Sequence, residues 1–124
     1  MDEIKRYLDT YALVEIAKGN PKFVGYLVSD FVITDLTLAE FYLVTLREEG
    51  DAVANYWFRK LEKHSVQVSK KILIEAMKFK HEYRKKEISF FDAVGYVFSV
   101  NQKYLFVTGD KEFEGLPNVE FRRK

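Results

Sequence analysis

The sequence predicts an α/β fold with a central parallel sheet of four or five strands. Short β-branched and aromatic runs alternate with segments whose apolar residues recur at helical spacing. This alternation favours βαβ units, which pair their strands in parallel through right-handed crossovers. No repeat, linker or low-complexity tract interrupts the 124 residues, so we expect one domain spanning residues 1–124.

The predicted strands are short apolar runs flanked by turn residues. The first covers residues 4–8 and is followed at once by Asp9. Residues 104–108 give the strongest strand signal, because β-branched and aromatic side chains dominate there. The remaining predicted strands are residues 31–33, 66–68 and 119–121.

Helices are predicted where apolar residues recur three or four positions apart. Gly19 and Pro21 separate the first two helices, and Gly50 ends the third. The predicted helices cover residues 11–18, 22–29, 37–49, 52–63 and 69–86, with a sixth that opens at Ser89.

Composition excludes several classes of protein. Hydrophobic residues make up 48% of the chain, enough for a core, yet no apolar run approaches the roughly 18 residues of a membrane span. Cysteine is absent, which excludes disulfides and thiolate metal sites and makes a cytoplasmic location the expectation. Residues 1–9 are charged and turn directly into a strand pattern, so we expect no secretory signal.

Charge is balanced overall but unevenly placed. A net charge of +1 excludes a uniformly basic nucleic-acid binder. Two basic stretches could contact a phosphate backbone, although a solvated helix face is the simpler interpretation of charge alone. They are Lys70, Lys71, Lys78, Lys80, Arg84, Lys85 and Lys86, and then Arg122, Arg123 and Lys124.

Four acids lie where a predicted strand ends or a predicted helix begins: Asp9, Glu40, Asp92 and Asp110. The carboxyl ends of parallel strands share one edge of the sheet, where ligands of such folds bind. Four carboxylates that meet there repel one another unless a cation joins them. Mg²⁺ and Mn²⁺ prefer such hard oxygen ligands and support phosphodiester hydrolysis. The pattern therefore predicts metal-dependent chemistry on a phosphate.

Each acid also has a structural explanation. Thr37-x-x-Glu40 and Ser89-x-x-Asp92 match the capping box of a helix start. Asp9 or Thr10 could cap the first helix and Asp110 could be a turn residue, which are weaker structural explanations. Taken singly, a structural role is favoured for each acid, whereas the joint arrangement favours a site.

Other chemistries find little support in the sequence. The spacing of His64 and His81 suggests no zinc site, and we expect both on the surface. No Gly-rich phosphate loop occurs. A phosphatase with a nucleophilic Asp9 needs a second acid where Tyr11 stands, and a phospho-acceptor domain needs an Asp where Ser69 follows the third strand.

At the four acids the chain resembles the PIN-domain family and, within it, the VapC-type toxins of toxin–antitoxin pairs. The likeness covers nearly the whole chain, and the order and spacing of four motifs carry it. These are LDT at 8–10, LTLAEFY at 36–42, ISFFDA at 88–93 and VTGDKEF at 107–113, the last being the most specific. The resemblance implies a PIN-like three-layer α/β/α fold.

The resemblance also implies an activity. The chain would be an Mg²⁺- or Mn²⁺-dependent endoribonuclease, the toxin of a type II toxin–antitoxin system, that hydrolyses RNA with a metal-activated water. It implies a catalytic hydroxyl at Thr108, with help from Thr10. The catalytic and metal-binding acids that it implies are Asp9, Glu40, Asp92 and Asp110.

The partners implied by the resemblance are an RNA substrate, a cognate antitoxin and a second copy of the chain. Tyr42, Tyr56 and Trp57 could form the antitoxin surface, or simply pack in the core. Glu112 or Glu114 could join the acids, although we expect both in an exposed loop. The alternative function is a catalytically silent PIN-like module that binds RNA or protein, which the full set of four acids disfavours.

Overall fold

The computed structural model describes residues 4–124 and contains a five-stranded sheet in the order β3-β2-β1-β4-β5. Every neighbouring pair of strands is parallel, which confirms the predicted fold class. Residues 1–3, on which the expectation of no secretory signal partly rests, lie outside the described residues. The strands are β1 (Arg6–Leu8), β2 (Phe31–Thr34), β3 (Ser65–Val66), β4 (Leu105–Thr108) and β5 (Val119–Phe121).

Helices cover both faces of the sheet because the side chains of each strand alternate between the two faces. On one face, Leu8, Ile33 and Val107 pack with the apolar sides of α1 and α2. On the other, Tyr7 and Phe106 pack with α4 and α5. The helices are α1 (Thr10–Ala17), α2 (Asp35–Glu49), α3 (Asp51–Leu61), α4 (Lys70–Glu82) and α5 (Phe90–Gln102). No helix in residues 4–124 is both long and apolar enough to cross a bilayer.

Some predicted helices differ from the structure. Residues 22–29 do not form an α-helix: Val24–Val28 is a 3₁₀ helix. Two valines and Gly25 are weak helix formers, and short connectors commonly adopt the 3₁₀ form. Helix α4 ends at Glu82 instead of near residue 86. In its last turn, Lys80 Nζ donates a 2.6 Å hydrogen bond to the carbonyl of the buried Ile88.

The start of α2 also differs from the prediction. Its N-cap is Thr34 at the end of β2, whose hydroxyl accepts a hydrogen bond from the Thr37 amide. The predicted capping residue, Thr37, is buried and its hydroxyl hydrogen-bonds the Tyr7 hydroxyl at 2.7 Å. The predicted capping box at Thr37 is therefore wrong, and Glu40 lies beyond the first turn of the helix.

The two histidines lie on α4 and beside β3. His81 is exposed, as predicted. His64 is half-buried instead, and its ring stacks on Phe31 with 4.0 Å between centroids. Burial lowers the pKa of His64.

Strands β1 and β4 are neighbours at the centre of the sheet, with Leu8 opposite Val107. The Asp9 amide extends this pairing by donating to the Val107 carbonyl at 3.3 Å. The chain segments that follow both strands therefore emerge together at the carboxyl edge of the sheet. This edge is the place where the sequence predicts a site.

Candidate active site

A cleft of about 640 Å³ opens at the carboxyl edge of the sheet. The four predicted acids, from four separate segments of the sequence, all line it. Its other walls come from α1, α2 and the chain after β5. The lining residues are Asp9, Thr10, Tyr11, Glu40, Val44, Asp92, Gly109, Asp110, Lys111, Arg123 and Lys124.

Asp9 lies at the floor of the cleft with 1% of its surface exposed. It is the N-cap of α1: its Oδ1 accepts a 2.9 Å hydrogen bond from the Ala12 amide. Its Oδ2 is buried and has no hydrogen-bond partner among residues 4–124. A buried, unpartnered carboxylate oxygen is costly, so it points to a group that binds there.

The electrostatics of the cleft favour a cation. Burial raises the pKa of Asp9 well above its usual range, and the charges of Asp92 and Asp110 raise it further. The nearby Thr108 hydroxyl opposes that rise although its geometry falls short of a hydrogen bond to Asp9, and the Ala12 amide opposes it by hydrogen-bonding Oδ1. Ionisation of these acids in the cleft therefore costs free energy, and a bound cation would remove that cost.

Asp92 lies in the first turn of α5, where the predicted N-cap, Ser89, accepts a 3.1 Å hydrogen bond from the Asp92 amide. Burial raises the pKa of Asp92 to about 7, and the charges of Glu40 and Asp110 contribute. The Ser89 hydroxyl acts in the opposite direction. Asp92 therefore combines a capping position with a carboxylate that turns into the cleft.

Glu40 reaches the cleft from α2 without a capping role. The Thr10 hydroxyl donates a 2.5 Å hydrogen bond to Glu40 Oε1. This bond joins the first turn of α1 to α2 beside the cleft and fixes one carboxylate oxygen. The capping role that the sequence suggested for Glu40 is therefore wrong.

Asp110 follows β4 and caps the 3₁₀ helix Lys111–Phe113, because its Oδ1 accepts a 3.0 Å hydrogen bond from the Glu112 amide. Thr108 is fully buried beneath the cleft, where its hydroxyl accepts a 3.0 Å hydrogen bond from the Asp110 amide. The Glu112 carboxylate turns away to accept from the Glu87 amide at 2.7 Å. Neither Glu112 nor the exposed Glu114 lines the cleft.

The donor set fits a hydrated divalent cation. Within the described part of the chain, no three His, Asp or Glu side chains already stand in an arrangement that could hold a metal ion directly. Mg²⁺ usually binds through one or two carboxylates and keeps several waters, which suits spaced acids. The unpartnered Asp9 Oδ2 supplies a buried, hard oxygen ligand at the centre of the group.

Sequence reasoning did not predict the basic side of the cleft. Lys111, Arg123 and Lys124 line the cleft as well as the acids, together with Tyr11. The basic run at 122–124 is visible in the sequence, and the short last strand was predicted. What the sequence could not show is the parallel pairing of β5 with β4, which brings this run to the cleft.

Several solved structures share this fold. A toxin–antitoxin complex from Klebsiella pneumoniae is 16% identical and superposes with a TM-score of 0.77 over 96% of this chain and 99% of that one. VapC20 of Mycobacterium tuberculosis, described as a Sarcin-Ricin loop cleaving toxin, is 16% identical with a TM-score of 0.75, over 92% of this chain and 98% of that one. DNA-bound VapBC from Salmonella typhimurium is 18% identical with a TM-score of 0.72, over 98% of each chain. These likenesses show the fold.

A family model decides membership. No curated protein matches the sequence significantly. The model of the PIN domain, by contrast, matches residues 6–118, which contain strands β1 to β4 and all four acids of the cleft. The chain therefore belongs to the PIN-domain family.

Proposed function

We propose that this chain is an Mg²⁺- or Mn²⁺-dependent endoribonuclease and the toxin of a type II toxin–antitoxin system. The observation that carries the proposal is the buried Asp9 carboxylate, which has an unpartnered Oδ2 and lines a cleft with three further acids. Burial and the neighbouring acids raise the pKa of both Asp9 and Asp92, and perturbed pKa values of this kind cluster at functional sites. Membership of the PIN-domain family favours a nuclease over other metal-dependent chemistry.

Asp9, Asp92 and Asp110 would hold the cation, directly or through its waters, with Glu40 completing the set. When bound, the cation would activate the attacking water and neutralise charge on the phosphate. Thr10 holds Oε1 of Glu40, which leaves Oε2 able to accept a hydrogen bond from a water and orient it. Thr108 supports the site from below through the Asp110 amide and by stabilising charged Asp9.

The activity is tested by incubating the purified chain with single-stranded RNA. We expect internal cleavage with Mn²⁺ or Mg²⁺, none with chelator, and recovery when the ion is returned. The silent-module alternative predicts RNA or protein binding with no cleavage under any of these conditions. Bound but intact RNA at saturating Mn²⁺ would therefore favour that alternative.

The toxin role is supported by the fold, since several neighbours of similar structure are described as toxin–antitoxin complexes or VapBC. Its test is expression of the wild-type chain in a bacterial host, with Asp9→Asn at a matched level as control. We expect growth arrest from the wild type alone. Normal growth with folded, active protein in the cell would count against the toxin role. The cytoplasmic location expected from the absence of cysteine is part of this proposal.

An antitoxin segment could bind between α2 and α3, where a groove of about 760 Å³ is lined in part by Leu38, Tyr42 and Phe58. Of the three aromatic residues predicted for this surface, Tyr42 lines the groove and donates to Asn55 Oδ1 at 2.8 Å. Tyr56 is 51% exposed outside the groove. Trp57 packs against the core beside Phe41. The test is co-expression of this chain with the protein encoded by the neighbouring reading frame, followed by co-purification. We expect the wild type to retain the partner and Phe58→Asp to lose it.

Homodimerisation belongs to the same proposal. Exposed apolar side chains such as Ile74, Met77 and Val100 on α4 and α5 are available to cover an interface. Sedimentation analysis tests it: we expect a species of twice the 14.7 kDa chain mass. A monomer over the whole accessible concentration range would contradict it.

A further inference from the structure

The residues that follow β5 run along the rim of the acidic cleft. The Arg122 amide donates to the Thr108 carbonyl at 2.9 Å, which continues the pairing of β4 with β5 beyond Phe121. Arg123 and Lys124 come next and line the cleft. The last paired residues of the sheet therefore bring Arg123 and Lys124 to the cleft that the acids line.

Tyr11 holds this rim in place. Its hydroxyl accepts a 3.2 Å hydrogen bond from the Lys124 amide, and its ring packs over Gly109. A Cβ on residue 109 would lie 2.1 Å from Tyr11 Cε1 and 2.6 Å from the Arg122 carbonyl oxygen. Gly109 thus allows the Tyr11 ring and the strand extension to approach each other at the cleft wall.

Arg122 makes contacts that distinguish its role from those of Arg123 and Lys124. Its Nε donates to the Tyr26 hydroxyl at 3.1 Å, and its guanidinium lies 5.8 Å from the centroid of that ring. The Tyr26 hydroxyl also hydrogen-bonds Glu120, which pairs with Arg6 at 2.9 Å. Arg122 is therefore engaged in structure, and it fixes the direction in which the chain leaves β5.

Arg123 and Lys124 keep their charges available. Arg123 forms no ion pair with any residue in the 4–124 range, and it is exposed. Lys124 Nζ lies 4.0 Å from Glu15 Oε2, at the limit of an ion pair, and its side chain is 62% exposed. A pair of that kind contributes little. Lys111 lies on the same rim.

A polyanion that approaches four carboxylates is repelled unless cations bind the phosphates beside them. We propose that Arg123 and Lys124 bind backbone phosphates of single-stranded RNA next to the position that is cut, and that Tyr11 is the residue that positions them. The proposal rests on the ribonuclease function above and names the part of the chain that holds its substrate. Arg suits phosphate because its planar group donates two hydrogen bonds at once.

The first test is the double variant R123Q/K124Q in steady-state RNA cleavage. We expect KM to rise about tenfold with kcat nearly unchanged, since each of the two cations would donate a charge-assisted hydrogen bond to a phosphate. The slope of log KM against log salt should shrink by about 0.7 for each phosphate that is no longer neutralised. The matched control is R59Q/K60Q, which removes the same charge from an exposed part of α3 away from the cleft. It should behave as the wild type does.

The second test isolates the positioning role. Tyr11→Phe keeps the ring over Gly109 and removes only the acceptor for the Lys124 amide. We expect a smaller rise in KM, in the same direction, with an unchanged unfolding midpoint and unchanged kcat. Because R123Q/K124Q already removes the cations, adding Tyr11→Phe to it should raise KM no further. Independent, multiplicative effects would overturn the role assigned to Tyr11.

Direct binding separates this proposal from the ribonuclease proposal. A short fluorescein-labelled single-stranded RNA is titrated with Asp9→Asn protein, with and without R123Q/K124Q, and polarisation is followed. Weaker binding and a smaller salt dependence in the triple variant would support phosphate binding by Arg123 and Lys124, even if the wild type cleaves nothing. Equal affinity and an equal salt slope with and without the two cations would overturn it, whether or not the chain cleaves RNA. Absence of RNA binding by either protein would overturn it as well.

Discussion

The Thr10 hydroxyl donates a 2.5 Å hydrogen bond to Glu40 Oε1, although the two residues are 30 positions apart. Thr10 directly follows Asp9, the buried cap of α1, and Glu40 lies well inside α2. One bond thus joins the two helices beside the cleft and fixes a carboxylate that has no capping role. The sequence offered Glu40 a capping role as good as that of Asp92, and the structure removes it because Thr34 is the N-cap of α2.

Removal of this bond should lower the rate of cleavage. Thr10→Val keeps the shape of the side chain and deletes the hydroxyl, so Glu40 loses the group that holds it. We expect kcat to fall about tenfold, the effect of about 1.4 kcal/mol in the transition state. Thr10→Ser, which keeps the hydroxyl, should retain most of the activity. Loss of activity in Thr10→Ser, with activity retained in Thr10→Val, would show that the methyl group, and not the hydrogen bond, is what matters.

Stability without metal should fall as pH rises through the weakly acidic range. The unfolded chain releases the Asp92 proton near the ordinary aspartate pKa of 3.8, whereas the folded chain holds it up to a pKa of about 7. The folded state therefore binds more protons between these values, and the free energy of unfolding decreases as pH rises. Asp9, whose pKa is also raised, acts in the same direction. Each unit of raised pKa corresponds to about 1.4 kcal/mol.

Urea unfolding in chelator at about pH 5 and about pH 7.5 measures this trend. Asp92→Asn removes the titrating carboxyl itself, so the difference between wild type and variant isolates it from other titrating groups. We expect the wild type to lose more stability than the variant between the two pH values. Parallel pH profiles for the two proteins would contradict the raised pKa.

Asp9→Asn should stabilise the metal-free chain. Asn caps a helix as well as Asp does, so the bond to the Ala12 amide is retained, while the cost of burying a carboxyl with a raised pKa is removed. At about pH 7.5 we expect a higher unfolding midpoint in chelator, by roughly 4 °C for each kcal/mol gained. Asp51→Asn, at the exposed start of α3, is the matched control and should be neutral or slightly destabilising. A lower midpoint for Asp9→Asn would mean that the carboxylate stabilises the fold.

Gly109→Ala should destabilise the chain and disturb the rim. The added Cβ would meet the Tyr11 ring and the Arg122 carbonyl oxygen at distances no packed atoms adopt. Overpacking of this kind costs about 1–3 kcal/mol. Gly25→Ala is the control because its Cβ would meet nothing within 4 Å and its φ is not positive. Thermal unfolding compares them, and equal midpoints for the two variants would rule out the packing constraint at Gly109.

The sequence predicted the sheet and its acids because these depend on local signals. The strand periodicity places Asp9 and Asp110 after β1 and β4, and their adjacency follows from the usual winding of a parallel sheet. The start of α2 was predicted less well, since Thr37 has an acid three residues later and Thr34, the observed N-cap, does not. Tertiary packing decides between them, because Thr37 is buried and its hydroxyl hydrogen-bonds the Tyr7 hydroxyl.

The position of Arg123 and Lys124 at the cleft could not be predicted from the sequence, for a different reason. Arg123 reaches the cleft through the pairing of an edge strand of three residues, and Tyr11 meets Gly109 only because both lie at the same end of the sheet. These contacts join residues that are far apart in the sequence and leave no periodic signal. The 3₁₀ form of Val24–Val28 was missed because helical spacing alone does not separate a short α-helix from a 3₁₀ helix.

The central claim is that the acids of the cleft hold a divalent cation that makes the chain a ribonuclease. RNA cleavage measured against Mn²⁺ concentration, for wild type and Asp9→Asn side by side, tests it most directly. We predict saturable, chelator-sensitive cleavage by the wild type and a loss of at least about a hundredfold in the variant, as expected when several kcal/mol of charge stabilisation are removed. Cleavage by Asp9→Asn at the wild-type rate and with the same Mn²⁺ dependence would contradict the account.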